Sequence, residues 1–249
     1  MATKALVVLS GGQDSTTCLY WALNNFDEIS ALTFDYGQKH SRELDAARKI
    51  AEMANVKSHE ILTLGPILDG RSPLTNPNET LETYSDFKTM SETIGDRVEL
   101  TFVPMRNALF LTLAANRASC KDITNLVTGV CEADFSNYPD CRRVFIDATE
   151  TYINTALGID TFKIHTPLIY KTKAQSIHLA MDLPGCMNAL AYSHTAYSGE
   201  YPPITQDHAT VLRAQGFLEA GVPDPLIVRA WREGLMKLPL TANYDLVEE

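Results

Sequence analysis

Short apolar runs alternate with helix-period patterns along this chain, and that rhythm restricts its fold more than any other feature. Ala5–Leu9, Ile29–Phe34, Glu60–Leu64, Ile123–Val130 and Lys163–Ile164 read as strands. Ser15–Asn24, His40–Ala54, Arg106–Ser119 and Arg142–Leu157 read as helices, and in the second of them Leu44, Ala47, Ile50 and Ala51 share one face. Strands written as continuous apolar runs are buried on both faces, and helices placed between them imply parallel pairing. The expected fold class is α/β, a doubly wound parallel sheet with a C-terminal helical tail. Residues 65–100 break the rhythm with Pro66, Pro73 and Pro77 and little periodicity, so a long loop or lid is expected there. Residues 1–190 are expected to form the main domain and 191–249 a helical extension packed on it. The extension enters through "SGEYPPITQDH" and ends in "ANYDLVEE".

The 249 residues are 45% hydrophobic and 21% charged, an ordinary globular balance that supports a substantial core. A net charge of −10 argues against a nucleic-acid partner, because counterion release on a phosphate backbone needs clustered Lys and Arg. It leaves room for an anionic small molecule in a locally positive pocket. No apolar run approaches membrane-spanning length, and the N-terminus lacks the pattern of a signal peptide. The five cysteines are scattered without a C-x-x-C pair, so no disulfide framework is expected and the cytoplasm is the expected compartment.

Within the rhythm, "VVLSGGQDSTT" runs a strand into paired glycines and then a helix. Gly11 and Gly12 permit a tight turn and close backbone approach, and Asp14 or Ser15 is expected to cap the helix. The first helical N–H groups and the positive end of the dipole would then face an anion. No Lys follows as it does in G-x-x-x-x-G-K-[ST]. The motif Ser10-Gly11-Gly12-Gln13-Asp14-Ser15 instead resembles the pyrophosphate loop of the PP-loop ATP pyrophosphatases, adenylating enzymes of Rossmann-like fold.

Further motifs narrow the resemblance. "ALTFDYGQKHSREL" follows the second strand, "FVPMRN" precedes the apolar helix, and "TGVCEADFSNYPDCR", "TPLIYKTKAQ" and "VLRAQGFLEAGVPDP" come after it in that order. Together they resemble the 7-cyano-7-deazaguanine synthase family over roughly Ala5 to Pro225. That resemblance implies ATP-dependent adenylation of the carboxylate of 7-carboxy-7-deazaguanine, amide formation with ammonia, and conversion of the amide to the nitrile. It implies ATP and Mg²⁺ as cofactors, a deazaguanine as the small-molecule partner, and a homodimer. By the same token Ser10, Gly11, Gly12, Asp14, Ser15, Thr16 and Phe34 would hold ATP, with Asp14 helping to place Mg²⁺. Lys173 and Arg106 would supply charge to the phosphates, although each also suits the plain start of a helix. Tyr36, Gln38, Glu132, Asp134, Tyr138, Asp140 and Arg142 would read the deazaguanine. Cys141 is given no chemical role; a packing thiol is expected.

The chain departs from the family pattern in several places. The family's zinc-binding cysteines fall at Ala196, Ile204, Asp207 and Thr210, and none is Cys. Zinc is therefore expected to be absent and the loop to be held by Tyr192, Tyr197, Tyr201, Pro202 and Pro203, with His194, Asp207 and His208 as a weak substitute ligand set. Val-Pro-Gly-Arg-Asn becomes Val-Pro-Met-Arg-Asn at Met105, Ser-Gly-Tyr-Pro becomes Ser-Asn-Tyr-Pro at Asn137, and a family Glu becomes Gln175. These changes keep open a defence-type paralogue that stops at the amide or joins the deazaguanine to an amine of a partner protein. A nucleotide-binding protein without turnover is a further alternative. A tRNA thiolase would need paired cysteines and a basic face, which the chain lacks.

Overall fold

In the computed structural model, residues 2–37, 42–70, 72–76, 78–132 and 137–247 are described. Strands β1 (Lys4–Val8), β2 (Glu28–Asp35), β3 (Ser58–Thr63), β4 (Asn125–Val127) and β5 (Lys163–His165) form one sheet. Its order is β3-β2-β1-β4-β5, and every pairing is parallel. Val7 of β1 lies opposite Ala31 on one side and Val127 on the other, so the order reverses direction at β1. A doubly wound sheet opens a crevice beyond the strand ends at such a switch point.

The strands divide their side chains between two cores with period two. Ala5, Val7 and Leu9 join Ile29 and Ala31 beneath α1 (Gln13–Asn25), α2 (Arg42–Met53), α6 (Lys173–Asp182) and α7 (Cys186–Leu190). Leu6, Leu32 and Phe34 point the other way, into a core with α4 (Arg106–Ser119) and α5 (Arg143–Leu157). Both faces are covered, which is why the strands carry no polar alternation.

Residues 65–100 are not loop throughout. Helix α3 (Phe87–Ile94) forms there, capped by Asp86, whose carboxylate accepts from the Thr89 N–H at 2.8 Å. Tyr84, Met90 and Ile94 are buried with Val211 and Leu212 of α8 (His208–Ala220), and the Tyr84 N–H donates to the Gln206 carbonyl at 2.8 Å. So short a helix depends on tertiary burial, and the surrounding prolines hide it from periodicity. The tail continues into α9 (Pro225–Arg232). Arg213 ties it down from inside: its guanidinium meets Asp224 at 2.6 and 2.8 Å and also donates to the Ser193 and Thr195 hydroxyls at 2.7 Å. Both charged partners are 3% exposed, and a pair buried this deeply fixes geometry more than it adds stability. Among the described residues no helix is long and apolar enough to cross a membrane.

Candidate active site

The turn after β1 lies at the switch point. Gly11 adopts φ +86°, and a Cβ there would stand 2.5 Å from the Glu43 carbonyl oxygen and 2.8 Å from the Ala47 nitrogen, so α2 can close on the loop only over glycine. The expected capping by Asp14 or Ser15 is corrected: Gly12 is the N-cap and contributes no side chain, which places both residues inside the first turn of α1. Ser10 and Ser15 hydroxyls bond to each other at 3.0 Å, and Thr16 donates to the Gly12 carbonyl at 2.7 Å. The hydroxyls brace the turn, while the N–H groups of Gln13, Asp14 and Ser15 lie in the first helical turn, where the helix provides no acceptors. Lys173, first residue of α6, reaches across and places Nζ 2.5 Å from Asp14 Oδ2. The other carboxylate oxygen, Asp14 Oδ1, is buried without a hydrogen-bond partner among the described residues.

A cavity of about 320 Å³ extends from this turn. Phe34 and Phe110 stack at 4.2 Å and, with Tyr36 at 5.2 Å from Phe110, form an aromatic wall. Arg106 enters from the start of α4 and engages the Tyr36 hydroxyl. Glu43 enters from α2, and burial pushes its carboxyl up to about 7 although Arg106 pulls it down. Tyr138 closes the far side; its hydroxyl lies 2.5 Å from the Thr101 hydroxyl and donates to buried Glu99 at 3.3 Å. Behind it, the Asn107 N–H donates to Asp140 Oδ2 at 3.3 Å, joining "FVPMRN" to "YPDCR". Asp140 Oδ1 is buried with no partner among the described residues, and burial raises this carboxyl against the opposing pull of Arg106.

Comparison with known proteins sets this geometry in a family. A family model described as "Queuosine biosynthesis protein QueC" matches residues 4–221. The 7-cyano-7-deazaguanine synthase of Laribacter hongkongensis is 49% identical over 227 residues, covering 90% of this chain and 94% of that protein. Proteins of the same name from Gloeobacter violaceus and Chromobacterium violaceum are 46% and 48% identical, over 90% and 92% of this chain and 95% of each relative. The chain belongs to this family.

Of the residues that the family resemblance singles out, Ser10, Gly12, Asp14, Ser15, Phe34, Tyr36, Arg106, Tyr138 and Lys173 line one cavity. Gly11 and Thr16 stand just behind the turn, and Asp140 behind Asn107. Glu132 and Arg142 are exposed and outside the lining. Glu132 instead accepts from the Arg143 N–H at 2.9 Å, capping α5. Gln38 and Asp134 lie outside the described residues. Sequence reasoning assigned no site role to Glu43, Asn107 or Phe110, and it placed Tyr197 only in the packing of the tail loop; all four line the cavity. Glu43 and Phe110 sit within helical patterns that suit an ordinary amphipathic face, and only the packing turns them inward.

The departures from the family pattern have structural counterparts. Met105 and Asn137 both hold positive φ, 64° and 57°, the backbone state that glycine takes most easily. Gln175 completes a capping box with Thr172, at 3.0 and 3.2 Å, a role open to Glu and Gln alike. The four cysteine positions offer a single ligand-type side chain, Asp207, and it is committed to backbone. Its Oδ1 accepts from the Thr210 N–H at 2.9 Å and its Oδ2 from the Tyr197 N–H at 2.7 Å. This donor set does not fit a zinc ion. Among the described residues no group of three or more His, Cys, Asp or Glu is placed to hold a metal. The tail loop is also gripped by Arg229, whose guanidinium lies 4.5 Å from the Tyr192 ring and 4.4 Å from that of Tyr201.

Proposed function

We propose that this protein adenylates the carboxylate of 7-carboxy-7-deazaguanine with ATP, forms the amide with ammonia, and converts the amide to 7-cyano-7-deazaguanine with a second ATP. The observation that carries this is the joining, in one cavity, of the glycine turn with its Asp14–Lys173 pair and a second set of lining residues, Tyr36, Arg106 and Tyr138. The first suits the triphosphate of ATP and the second a planar, hydrogen-bonding acid, so a carboxylate oxygen can meet the α-phosphorus between them.

The chain's groups divide the work. The free N–H groups at the start of α1 and the Lys173 ammonium receive the pyrophosphate that departs when the carboxylate oxygen bonds to the α-phosphorus. Phe34 supports the adenosine. Asp14 Oδ1 suits Mg²⁺, which when bound neutralises charge on the phosphates. The carboxylate thereby gains a leaving group, and a nitrogen nucleophile displaces AMP. The Tyr138 face supplies an aromatic surface for the deazaguanine, and Asp140 holds Asn107 of the lining from behind.

The purified protein, given ATP, Mg²⁺, ammonia and 7-carboxy-7-deazaguanine, is expected to release AMP and to yield the nitrile by mass spectrometry. Asp14→Ala is expected to slow AMP release by about 10²-fold or more. Amide as the sole product would favour the amide-stopping or protein-conjugating enzyme. AMP release unaltered by Asp14→Ala would sink the adenylation reading.

A further inference from the structure

Building on that function, we propose that Glu43 is the general base that takes the proton from nitrogen as the activated carboxyl becomes an amide, and again as the amide becomes a nitrile. The chemistry demands such a group. When ammonia bonds to the acyl carbon and the C–O bond to AMP breaks, the electron pair leaves with the phosphate and nitrogen must lose a proton. In the second round the adenylated amide must shed its N–H protons as C≡N forms and AMP departs again. A base within reach of nitrogen serves both events and passes each proton to water in the cavity.

Glu43 is suited by position. It projects from α2 into the cavity, and its own backbone carbonyl packs against Gly11, so the residue borders the phosphate turn. Arg106 from α4, Tyr36 from the end of β2 and Tyr197 from the tail lie within its electrostatic reach. No hydrogen bond among the described residues engages its carboxylate. Among the described lining residues the other carboxylate, Asp14, is paired with Lys173 at 2.5 Å, and the ring of His194 is held by the Ala196 carbonyl at 2.8 Å. Tyr36, Tyr138 and Tyr197 are all shifted up by burial, away from neutral pH. Glu43, with its carboxyl raised to about 7, has the proton affinity that suits a base at neutral pH.

Glu43→Gln tests this in three assays on the whole protein with ATP, Mg²⁺ and 7-carboxy-7-deazaguanine. Acid-dependent exchange of labelled pyrophosphate into ATP reports adenylation alone, and is expected to stay within about threefold of wild type if the residue acts after that step. Amide formation at fixed free ammonia is expected to fall by about 10²-fold or more, and its decline toward acid pH to disappear. Hydroxamate formation from hydroxylamine is expected to persist, because its nitrogen is a weaker base and yields its proton to water. Amide formation at the wild-type rate would overturn the proposal. So would loss of exchange in a variant that melts like wild type, which would place Glu43 in adenylation. If glutamine unfolds the protein, Glu43→Asp carries the test: withdrawing the carboxylate by one methylene is expected to slow amide formation about tenfold, and an unchanged rate would refute the role. Absence of exchange in the wild type would instead remove the proposed function itself.

Discussion

Met105 and Asn137 both occupy left-handed backbone, where an L side chain costs about 1–2 kcal/mol. Their surroundings differ, so the same substitution should act in opposite directions. Met105 is 70% exposed and gives up little packing, so Met105→Gly is expected to be neutral or stabilising by up to about 1 kcal/mol. The Asn137 side chain donates to the carbonyls of Gly95 at 3.1 Å and Arg97 at 3.0 Å, tying the turn before Tyr138 to the end of α3. Asn137→Gly therefore relieves backbone strain but removes both bonds, and a net loss of about 1 kcal/mol is expected. Denaturant midpoints of the two variants check the pair; stabilisation of both would show that backbone strain alone governs these positions. What could be read from residue types differs between these sites. Lys173 stood out because a lysine after Thr172 at a helix start matched a motif, and its ammonium does reach Asp14. Glu43 did not stand out, because an acid in the first turn of an amphipathic helix is where a solvated one belongs.

Secondary elements were legible where their own pattern sufficed. α4 spans Arg106–Ser119, as its apolar spacing indicates, and β1, β2 and β3 begin and end close to where the apolar runs do. β4 is shorter than its run, Asn125–Val127 against Ile123–Val130, and Thr128, Gly129 and Val130 continue past the strand to line the cavity. α3 could not be seen, since its burial comes from α8. The start of α8 shows how a single side chain joins elements far apart in the chain. Asp207 caps the helix through the Thr210 N–H and holds the Tyr197 N–H, and it is 1% exposed. Burial raises its carboxyl, while the N–H groups of Thr210 and Tyr197 favour the charged form. Asp207→Ala removes the cap and leaves the half-buried Tyr197 N–H unsatisfied, so a loss of about 2–4 kcal/mol is expected. Because Tyr197 walls the cavity, pyrophosphate exchange should weaken as well. A thermal midpoint equal to wild type would show that Asp207 does not clasp the loop.

At the scale of the whole molecule, the two halves of the sheet join through the β1–β4 ladder, and one glycine just beyond it sets how closely the phosphate turn is approached. The phosphate turn belongs to the β1 side of the switch point, and the strand beyond it is β4. They close on each other at Gly129, where a Cβ would stand 2.9 Å from the Ser15 nitrogen and 3.0 Å from the Asp14 carbonyl carbon. Gly129 takes no unusual φ, so it is required for space and not for conformation. The atoms it would strike are backbone at the start of α1, the same turn whose N–H groups are aimed at the anion. Gly129→Ala must therefore move either β4 or the phosphate turn. Overpacking of this kind costs about 1–3 kcal/mol. Displacement of oriented N–H groups by a fraction of an ångström should act more strongly on nucleotide than on folding, because hydrogen bonds to charged acceptors are steep in distance and angle. The expected result is a modest fall in thermal midpoint with a rise of about tenfold or more in the ATP concentration that half-saturates pyrophosphate exchange. Half-saturation that stays at the wild-type value while stability falls would mean that the triphosphate does not lie at the start of α1. The Asp14–Lys173 pair would then be a structural ion pair at the sheet's switch point, with the nucleotide held elsewhere in the cavity.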